Sequence, residues 1–146
     1  MTAGKHPVVV AIVEDQKEVR EGLVYLLGRD GRISIAGGFE RAEAFIAWLG
    51  TNRPPDIVLM DINLPGMSGI DATRAILSLH PDMNVLILTV FEEHDTILSA
   101  FRSGARGYLL KNTRPDALVD QILFSVDDGS SNSTTAARQV LDAVRR

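Results

Sequence analysis

Carboxylates, a hydroxyl and an ammonium group stand at the ends of four apolar segments of the sequence. Glu14 and Asp15 follow one such segment, Asp61 follows another, Thr89 lies near the end of a third and Lys111 ends a fourth. If these ends meet in the fold, three carboxylates share one site. Two like charges about 4 Å apart repel by roughly 4 kcal/mol at an effective dielectric near 20. Such a site therefore requires protonation, a lysine or a divalent cation.

Lys111 and a magnesium ion are the remedies that the residue types favour. Lys111 can neutralise about one charge. The remaining carboxylates predict Mg²⁺, which prefers hard oxygen ligands and keeps several waters. The candidate metal ligands are Glu14, Asp15, Asp61 and the backbone carbonyl of Asn63, two residues beyond Asp61.

A phosphoryl group fits the same set of side chains. The metal would bind one phosphoryl oxygen, Lys111 would pair with a second, and the Thr89 hydroxyl would hydrogen-bond a third. Phosphoryl transfer depends on such positioning and charge stabilisation, and Asp61 is the expected nucleophile for an acyl phosphate. A donor other than a nucleotide is implied, because the sequence has no GxxxxGK[ST] loop and its first turn is acidic.

The elements that position these residues alternate between apolar runs of strand length and segments with helical periodicity. Runs that are apolar throughout are typical of strands buried on both faces, as in a parallel sheet flanked by helices. The carboxyl ends of parallel strands lie at one edge, where such sheets bind ligands. The sequence thus predicts a doubly wound α/β fold with strands over 7–13, 32–39, 56–60, 84–90 and 105–111, and helices over 14–31, 41–50, 69–80, 93–104 and 115–129.

Two elements carry more detailed expectations. The segment 32–39 alternates in polarity, which indicates an outer strand. The last helix has more apolar residues than one packed face needs, so the surplus is expected either to be buried or to face a partner. The first helix is expected to bury one stripe, formed by Val19, Leu23, Leu26 and Leu27.

The composition is that of a globular domain. Hydrophobic residues make up 45% and charged residues 23% of the 146 residues, and there is no cysteine, which excludes disulfides and thiolate metal sites. A net charge of −4 argues against a nucleic-acid surface. No apolar run approaches the roughly 20 residues of a membrane span. We expect a cytoplasmic protein without membrane contact, in which residues 1–128 form the domain and 129–146 form a polar linker and the start of a helix.

Motifs distributed along the chain resemble the receiver domain of two-component response regulators. They are VED at 13–15, LMDINLPGMSGID at 59–71, LILTV at 86–90 and GYLLK at 107–111, and the resemblance covers residues 7–128. It implies a flavodoxin-like fold with the strand order 2-1-3-4-5.

The resemblance also implies a function. The protein would be a signalling switch that accepts a phosphoryl group on Asp61 from a sensor histidine kinase. It would be a regulatory domain rather than an enzyme, catalysing only its own magnesium-dependent phosphorylation and dephosphorylation. Glu14 and Asp15 would hold the Mg²⁺, Thr89 and Lys111 would contact the phosphoryl group, and Tyr108 would change rotamer as Thr89 moves.

A narrower resemblance concerns the end of the chain. The stretch GYLLKNTRPDALVDQIL, followed by a Ser-rich break and AARQVLDAV, is similar to the subfamily whose receiver precedes a helix-turn-helix domain. This implies that the output is transcription and that DNA is contacted only through a C-terminal domain outside this chain. The alternative is a free-standing receiver. Phosphorylation would then favour a homodimer.

Two residues depart from the pattern of that family. Asn112 follows Lys111 where many receivers have proline. A trans bond is expected there, because a cis bond without proline costs about 3 kcal/mol. Val90 follows Thr89 where a small residue is usual, so the larger side chain is expected to restrict access to the site.

Other interpretations use the same residues. Asp15 has the spacing of a capping box with Glu18 and would by itself be read as a helix cap. A Mg²⁺-dependent phosphohydrolase would share the aspartyl nucleophile, but it would need an acid where Asn63 stands. A pseudo-receiver that works without phosphorylation would be expected to lack some of the key residues, all of which are present.

Overall fold

The structure is a computed structural model that describes residues 6–90 and 93–128. Five strands form one sheet in the order β2-β1-β3-β4-β5, and all neighbouring strands are parallel. The predicted doubly wound, flavodoxin-like topology is therefore confirmed, and the polar-alternating second strand lies at an edge. The strands are β1 Val8–Val13, β2 Ile33–Phe39, β3 Ile57–Asp61, β4 Asn84–Thr89 and β5 Gly107–Leu110.

Helices cover both faces of this sheet. Because successive side chains of a strand point to opposite faces, β1 divides its residues between two hydrophobic clusters. Val10 and Ile12 belong to the cluster that contains residues of α1 and α5, whereas Ala11 and Val13 belong to the cluster with residues of α2, α3 and α4. The helices are α1 Lys17–Gly28, α2 Ala42–Leu49, α3 Gly69–Leu79, α4 His94–Arg102 and α5 Pro115–Asp128.

The chain enters the first helix later than its periodicity predicts. The predicted helix began at residue 14, but α1 begins at Lys17, and Gln16 is extended with φ −77° and ψ 114°. The reason is local, because the Glu14 carboxylate accepts a hydrogen bond from the Gln16 backbone N–H at 3.0 Å. The two acids are thereby placed on a loop between strand and helix rather than within the helix.

One residue of the expected α1 stripe was placed wrongly. Leu27 is fully buried, but Leu26 is 40% exposed. Val24 instead packs against the buried cluster, together with Leu23. A shift of one position along the helix rotates a side chain by about 100°, so periodicity alone did not separate these neighbours.

The C-terminal expectations fall partly outside what the structure describes. The predicted last helix is present as α5, but the proposed linker and helix start over 129–146 lie outside the described residues. Among the residues that are described, no helix combines the length and the apolar character needed to cross a lipid bilayer.

Candidate functional site

Strand register brings the predicted site residues to one edge of the sheet. Val13 pairs with Met60, so the next residues along the two strands, Glu14 and Asp61, lie side by side at the carboxyl ends of β1 and β3. These two strands flank the point at which the strand order reverses, where open α/β sheets bind ligands.

The other half of the site comes from the next two strands. Asp61 pairs with Leu88, which places Thr89 one residue further along β4. Thr89 pairs with Leu110, and the backbone N–H of Lys111 donates to the Thr89 carbonyl at 2.8 Å. The structure thus brings together the residues that were predicted to meet at the ends of the strands, namely Glu14, Asp61, Thr89 and Lys111.

A single ammonium group joins the two innermost carboxylates. The Lys111 Nζ lies 2.5 Å from Glu14 Oε1 and 3.2 Å from Asp61 Oδ1. Glu14 is fully buried and Asp61 is 3% exposed, whereas the Lys111 side chain is 18% exposed. Lysine therefore neutralises Glu14 first and Asp61 only in part.

A depression of about 590 Å³ opens above these groups. Asp15 and Asp61 contribute acids to its lining, but Glu14 does not line it and lies behind Lys111. The two acids of the β1–α1 loop therefore have different positions, one facing the depression and one buried beneath it. The full lining is Asp15, Gln16, Val19, Asp61, Asn63, Thr89, Val90, Lys111 and Asn112.

Burial and charge separate the ionisation of the two inner acids. Burial, together with the negative charge of Glu14, raises the pKa of Asp61 from 3.8 to about 6. Burial also opposes ionisation of Glu14, but hydrogen bonds from Lys111 and from the Gln16 N–H outweigh it and lower the pKa of Glu14. The pKa of Lys111 is raised, because hydrogen bonding to Glu14 and the charge of Asp61 overcome the effect of burial. Of these two inner acids, Asp61 is the one whose charge is less compensated.

The donor set fits a magnesium ion. Oxygen atoms of Glu14, Asp15 and Asp61 lie within 4.8 Å of one another, and two of these residues face the depression. Carboxylate oxygens beside an open, water-accessible space are what Mg²⁺ requires. A divalent cation there would also offset the charge of Asp61 that Lys111 leaves uncompensated.

The loop after Asp61 is closed tightly over the end of β3. The Gly69 N–H donates to the Ile62 carbonyl at 3.0 Å, and the Met67 N–H donates to the Glu43 carboxylate of α2 at 3.2 Å. Gly66 adopts a positive φ of 74°, which a residue without Cβ accepts at little cost. Glu43 was not among the predicted residues, and its spacing along α2 gave no signal of this contact.

The start of α3 carries a side-chain cap and an acidic residue in its first turn. Ser68 is the N-cap, and its hydroxyl accepts the Asp71 N–H at 3.1 Å. Asp71 lies in the first turn of the helix, where a negative charge is favourable, and is exposed. Asp71 does not line the depression.

Three further sequence expectations concern individual residues. Asp15 does not cap α1, because Gln16 holds the N-cap position and makes no side-chain cap bond. No cis peptide bond is found in the described part of the chain, which confirms trans at Lys111–Asn112. Val90 lines the depression and is 61% exposed.

Thr89 and Tyr108 lie at different depths. Thr89 is 2% exposed and lines the depression. Tyr108 is 7% exposed and belongs to the hydrophobic cluster that also holds Ile97 and Ala100 of α4. Tyr108 pairs with Ile87, two residues before Thr89 on the adjacent strand. The tyrosine therefore lies on the strand next to the one that carries the Thr89 hydroxyl, in the cluster that includes residues of α4.

Comparison with known proteins gives a consistent result. The family model described as response regulator receiver domain matches residues 10–123. The chain is 33% identical over 142 residues to the uncharacterized transcriptional regulatory protein YxjL of Bacillus subtilis, covering 97% of this chain and 65% of the relative. It is 36% identical to the transcriptional regulatory protein LnrK of the same organism, covering 94% of this chain and 62% of the relative. The chain thus spans less than two thirds of the length of these relatives.

A solved structure shows the same architecture. The two-component response regulator of the LuxR family from Aurantimonas sp. SI85-9A1 superposes with a TM-score of 0.80 at 31% identity, covering 97% of this chain and all of the other. This likeness extends the agreement from the motifs to the arrangement of the whole sheet.

Proposed function

The chain belongs to the response regulator receiver domain family, and from this premise we propose that it is a signalling switch phosphorylated on Asp61 by a sensor histidine kinase. The observation that carries the assignment is the position of Asp61. It ends the central strand, borders the open depression and lies 3.2 Å from the Lys111 ammonium. The family is a family of regulatory domains, and the relatives named above are transcriptional regulators, so we propose transcription as the output.

The proposed transfer uses residues whose positions are described. An Asp61 carboxylate oxygen would bond to phosphorus as the bond between phosphorus and the donor nitrogen breaks, and the nitrogen would take up a proton. Lys111 would stabilise charge on the phosphoryl oxygens, as preorganised cations do in such reactions. The Thr89 hydroxyl borders the same space and would donate a hydrogen bond to the product. A bound Mg²⁺ would supply further charge neutralisation in the depression.

Asp15 and Asp61 are the carboxylates that we propose as magnesium ligands, with the Asn63 carbonyl as a third. Glu14 would act from beneath, because it is fully buried and already paired with Lys111. The site also argues against the phosphohydrolase alternative. Asn63 lines the depression at the position where such an enzyme would need an acid, and its amide cannot protonate a leaving group.

Magnesium is expected to stabilise the folded protein. A ligand at ten times its dissociation constant adds about 1.4 kcal/mol to the free energy of unfolding. Urea unfolding with and without Mg²⁺ measures this increment. Asp15→Asn should reduce it, whereas Asp82→Asn, an exposed aspartate just before β4 at the opposite edge of the sheet, should leave it unchanged. An equal increment in both variants would place the cation elsewhere.

The switch step is proposed from the packing of Thr89 and Tyr108. Movement of Thr89 toward a phosphoryl group would alter the space beside β5 and shift Tyr108 between two positions against α4. A ligand changes such an equilibrium only through its different affinity for the two states. Phosphorylation at Asp61 provides that difference through Thr89.

The function is tested by exposing the protein to acetyl phosphate. We expect one phosphoryl group per chain, formed with Mg²⁺ and not in excess chelator, labile to hydroxylamine as an acyl phosphate is, and mapped to the peptide that carries Asp61. Label on a serine, threonine or histidine would contradict the assignment. Release of free phosphate from a phosphate ester over many turnovers would instead support the phosphohydrolase.

A further inference from the structure

The acidic loop between β1 and α1 is held from behind by an arginine that the proposed chemistry does not use. Arg20 lies in the second turn of α1, and its Nη1 donates to the Glu14 carbonyl at 2.8 Å and approaches the Asp15 carbonyl at 3.4 Å. Both contacts are to backbone oxygens of the two adjacent acids. The guanidinium is therefore bound to the peptide groups that orient these side chains.

Other contacts restrain the loop on its inner side, where the Glu14 carboxylate is paired with Lys111 and accepts the Gln16 N–H. Gln16 is extended and makes no side-chain cap bond at the start of α1. The Glu14 N–H donates to the Phe39 carbonyl of β2 at 2.9 Å, which fixes one side of the loop. On the other side of the loop, Arg20 donates to the Glu14 carbonyl. The peptide groups on either side of Glu14 are therefore each held by a hydrogen bond, one through the Glu14 N–H and the other through the Glu14 C=O. These two bonds limit rotation of the backbone that carries the carboxylate.

A glycine in the edge strand β2 leaves room for the Arg20 side chain to reach the loop. Gly38 of β2 lies under the arginine stem, and a Cβ there would stand 3.1 Å from Arg20 Cγ and 3.3 Å from Cδ. These distances are tighter than ordinary van der Waals contact, so a Cβ at this position would require the arginine stem to shift by a few tenths of an ångström. Gly38 thus provides space that this conformation of Arg20 needs.

Charge alone does not explain an arginine at this place. A guanidinium beside a cation site repels the cation, so a site selected only for charge would not contain it. Arginine donates hydrogen bonds and does not accept them, and its Nη1 alone contacts both carbonyls. The Asp15 carboxylate is thereby left facing the depression. Arg20 therefore serves to hold the loop backbone in place rather than to supply positive charge.

We propose that Arg20 is a positioning residue that sets the Glu14–Asp15 loop for magnesium binding. The inference rests on the proposed function, because it assumes that this loop holds the metal. Loss of an outer residue that orients metal ligands weakens affinity by about tenfold or more. The same loss should leave phosphoryl transfer intact once the metal is saturating, because Arg20 touches neither Asp61 nor the depression.

Arg20→Met, Arg20→Lys and Lys17→Met test the proposal on the full chain. Lys17 is the control, because it is exposed and lies two residues after Asp15, so its loss removes a nearby positive charge without a loop contact. Calorimetric titration with Mg²⁺ alone should show about tenfold weaker binding in Arg20→Met, partial recovery in Arg20→Lys, and equal or tighter binding in Lys17→Met. Amide hydrogen exchange without metal should rise at residues 14–16 in Arg20→Met only.

A second experiment separates positioning from general damage. The Mg²⁺ concentration for half-maximal phosphorylation should rise by about tenfold in Arg20→Met, while the rate at saturating Mg²⁺ matches the unaltered protein. Gly38→Ala should weaken Mg²⁺ binding in the unaltered chain and add nothing in the Arg20→Met background.

Unchanged or tighter Mg²⁺ binding in Arg20→Met overturns the role of Arg20 but leaves the proposed function standing. A lower rate even at saturating metal also overturns it, since Arg20 would then act on the transfer step. If the unaltered protein takes up no Mg²⁺, the proposed metal site itself fails.

Discussion

Asp61→Asn is expected to abolish phosphorylation and, at the same time, to stabilise the metal-free fold. The rate should fall at least about a thousandfold, the scale on which loss of a catalytic nucleophile acts. Stability should rise because Asp61 is a buried carboxylate beside Glu14, and its pKa is raised from 3.8 to about 6. A shift of about two units corresponds to roughly 3 kcal/mol. Solvent in the open depression reduces this to an expected gain of about 1–2 kcal/mol.

The sign of the pH dependence follows from the raised pKa. The folded state holds the Asp61 proton more tightly than the unfolded chain, so the destabilisation is complete above about pH 6 and disappears as the pH falls toward 3.8. Glu14 has the opposite sign, because its lowered pKa gives stability that is lost only below its ordinary value of 4.5. Between about pH 7.5 and pH 5 the Asp61 effect should dominate.

Urea unfolding in chelator measures both parts of this prediction. The unaltered protein should become more stable as the pH falls from about 7.5 to 5, and Asp61→Asn should remove that rise. Asp71→Asn is the matched control, an exposed aspartate outside the depression that should keep full phosphorylation. Persistent labelling of Asp61→Asn would reassign the phosphoacceptor, and a loss of stability would show that the Asp61 charge is already well compensated.

Gly69→Ala is expected to damage both the fold and the phosphoacceptor. A Cβ at this first residue of α3 would overlap the Asp61 carbonyl oxygen and stand 2.9 Å from the Asp61 carbonyl carbon and from Ile62 Cα. These are backbone atoms that cannot turn aside, so the strand end or the helix must shift. We expect a loss of about 3 kcal/mol. A displacement of about 1 Å would lower the phosphorylation rate by up to about a hundredfold.

Gly22→Ala is the matched control. Gly22 lies inside α1, and apart from the neighbouring backbone of the helix itself a Cβ there meets no atom within 4 Å. Replacing glycine by alanine within a helix should stabilise by about 0.5–1 kcal/mol. The same chemical change thus has opposite expected signs at the two positions. Urea unfolding and phosphorylation by acetyl phosphate measure both variants, and a Gly69→Ala protein as stable and as active as the unaltered one would contradict the close approach.

The fold was predictable because four of the five strands, all except β2, are apolar nearly throughout. That pattern requires a sheet covered on two sides, and the segments between the strands have the length of crossover helices. The placement of Asp61, Thr89 and Lys111 at one edge followed, because parallel strands end together. Their positions at the ends of apolar segments were sufficient to predict that these residues lie together.

The internal arrangement of the site was not predictable from the same pattern. Glu14 and Asp15 are adjacent in sequence, yet one is buried under Lys111 and the other faces the depression, which depends on backbone angles around Gln16. Arg20 and Glu43 act through hydrogen bonds to backbone groups of the loops that follow β1 and β3. No periodicity encodes such contacts, since they arise only once α1 and α2 have packed.

The parallel sheet also separates the molecule into a reactive end and an end suited to observation. The connection between α2 and β3 enters the sheet at the amino ends of the strands, opposite the depression, and Arg53 within it is exposed. Because the sequence contains no cysteine, Arg53→Cys would create a single thiol for a fluorescent or spin label. Such a reporter would follow the proposed metal loading and phosphorylation from a distance, without occupying the surface where we propose that they take place.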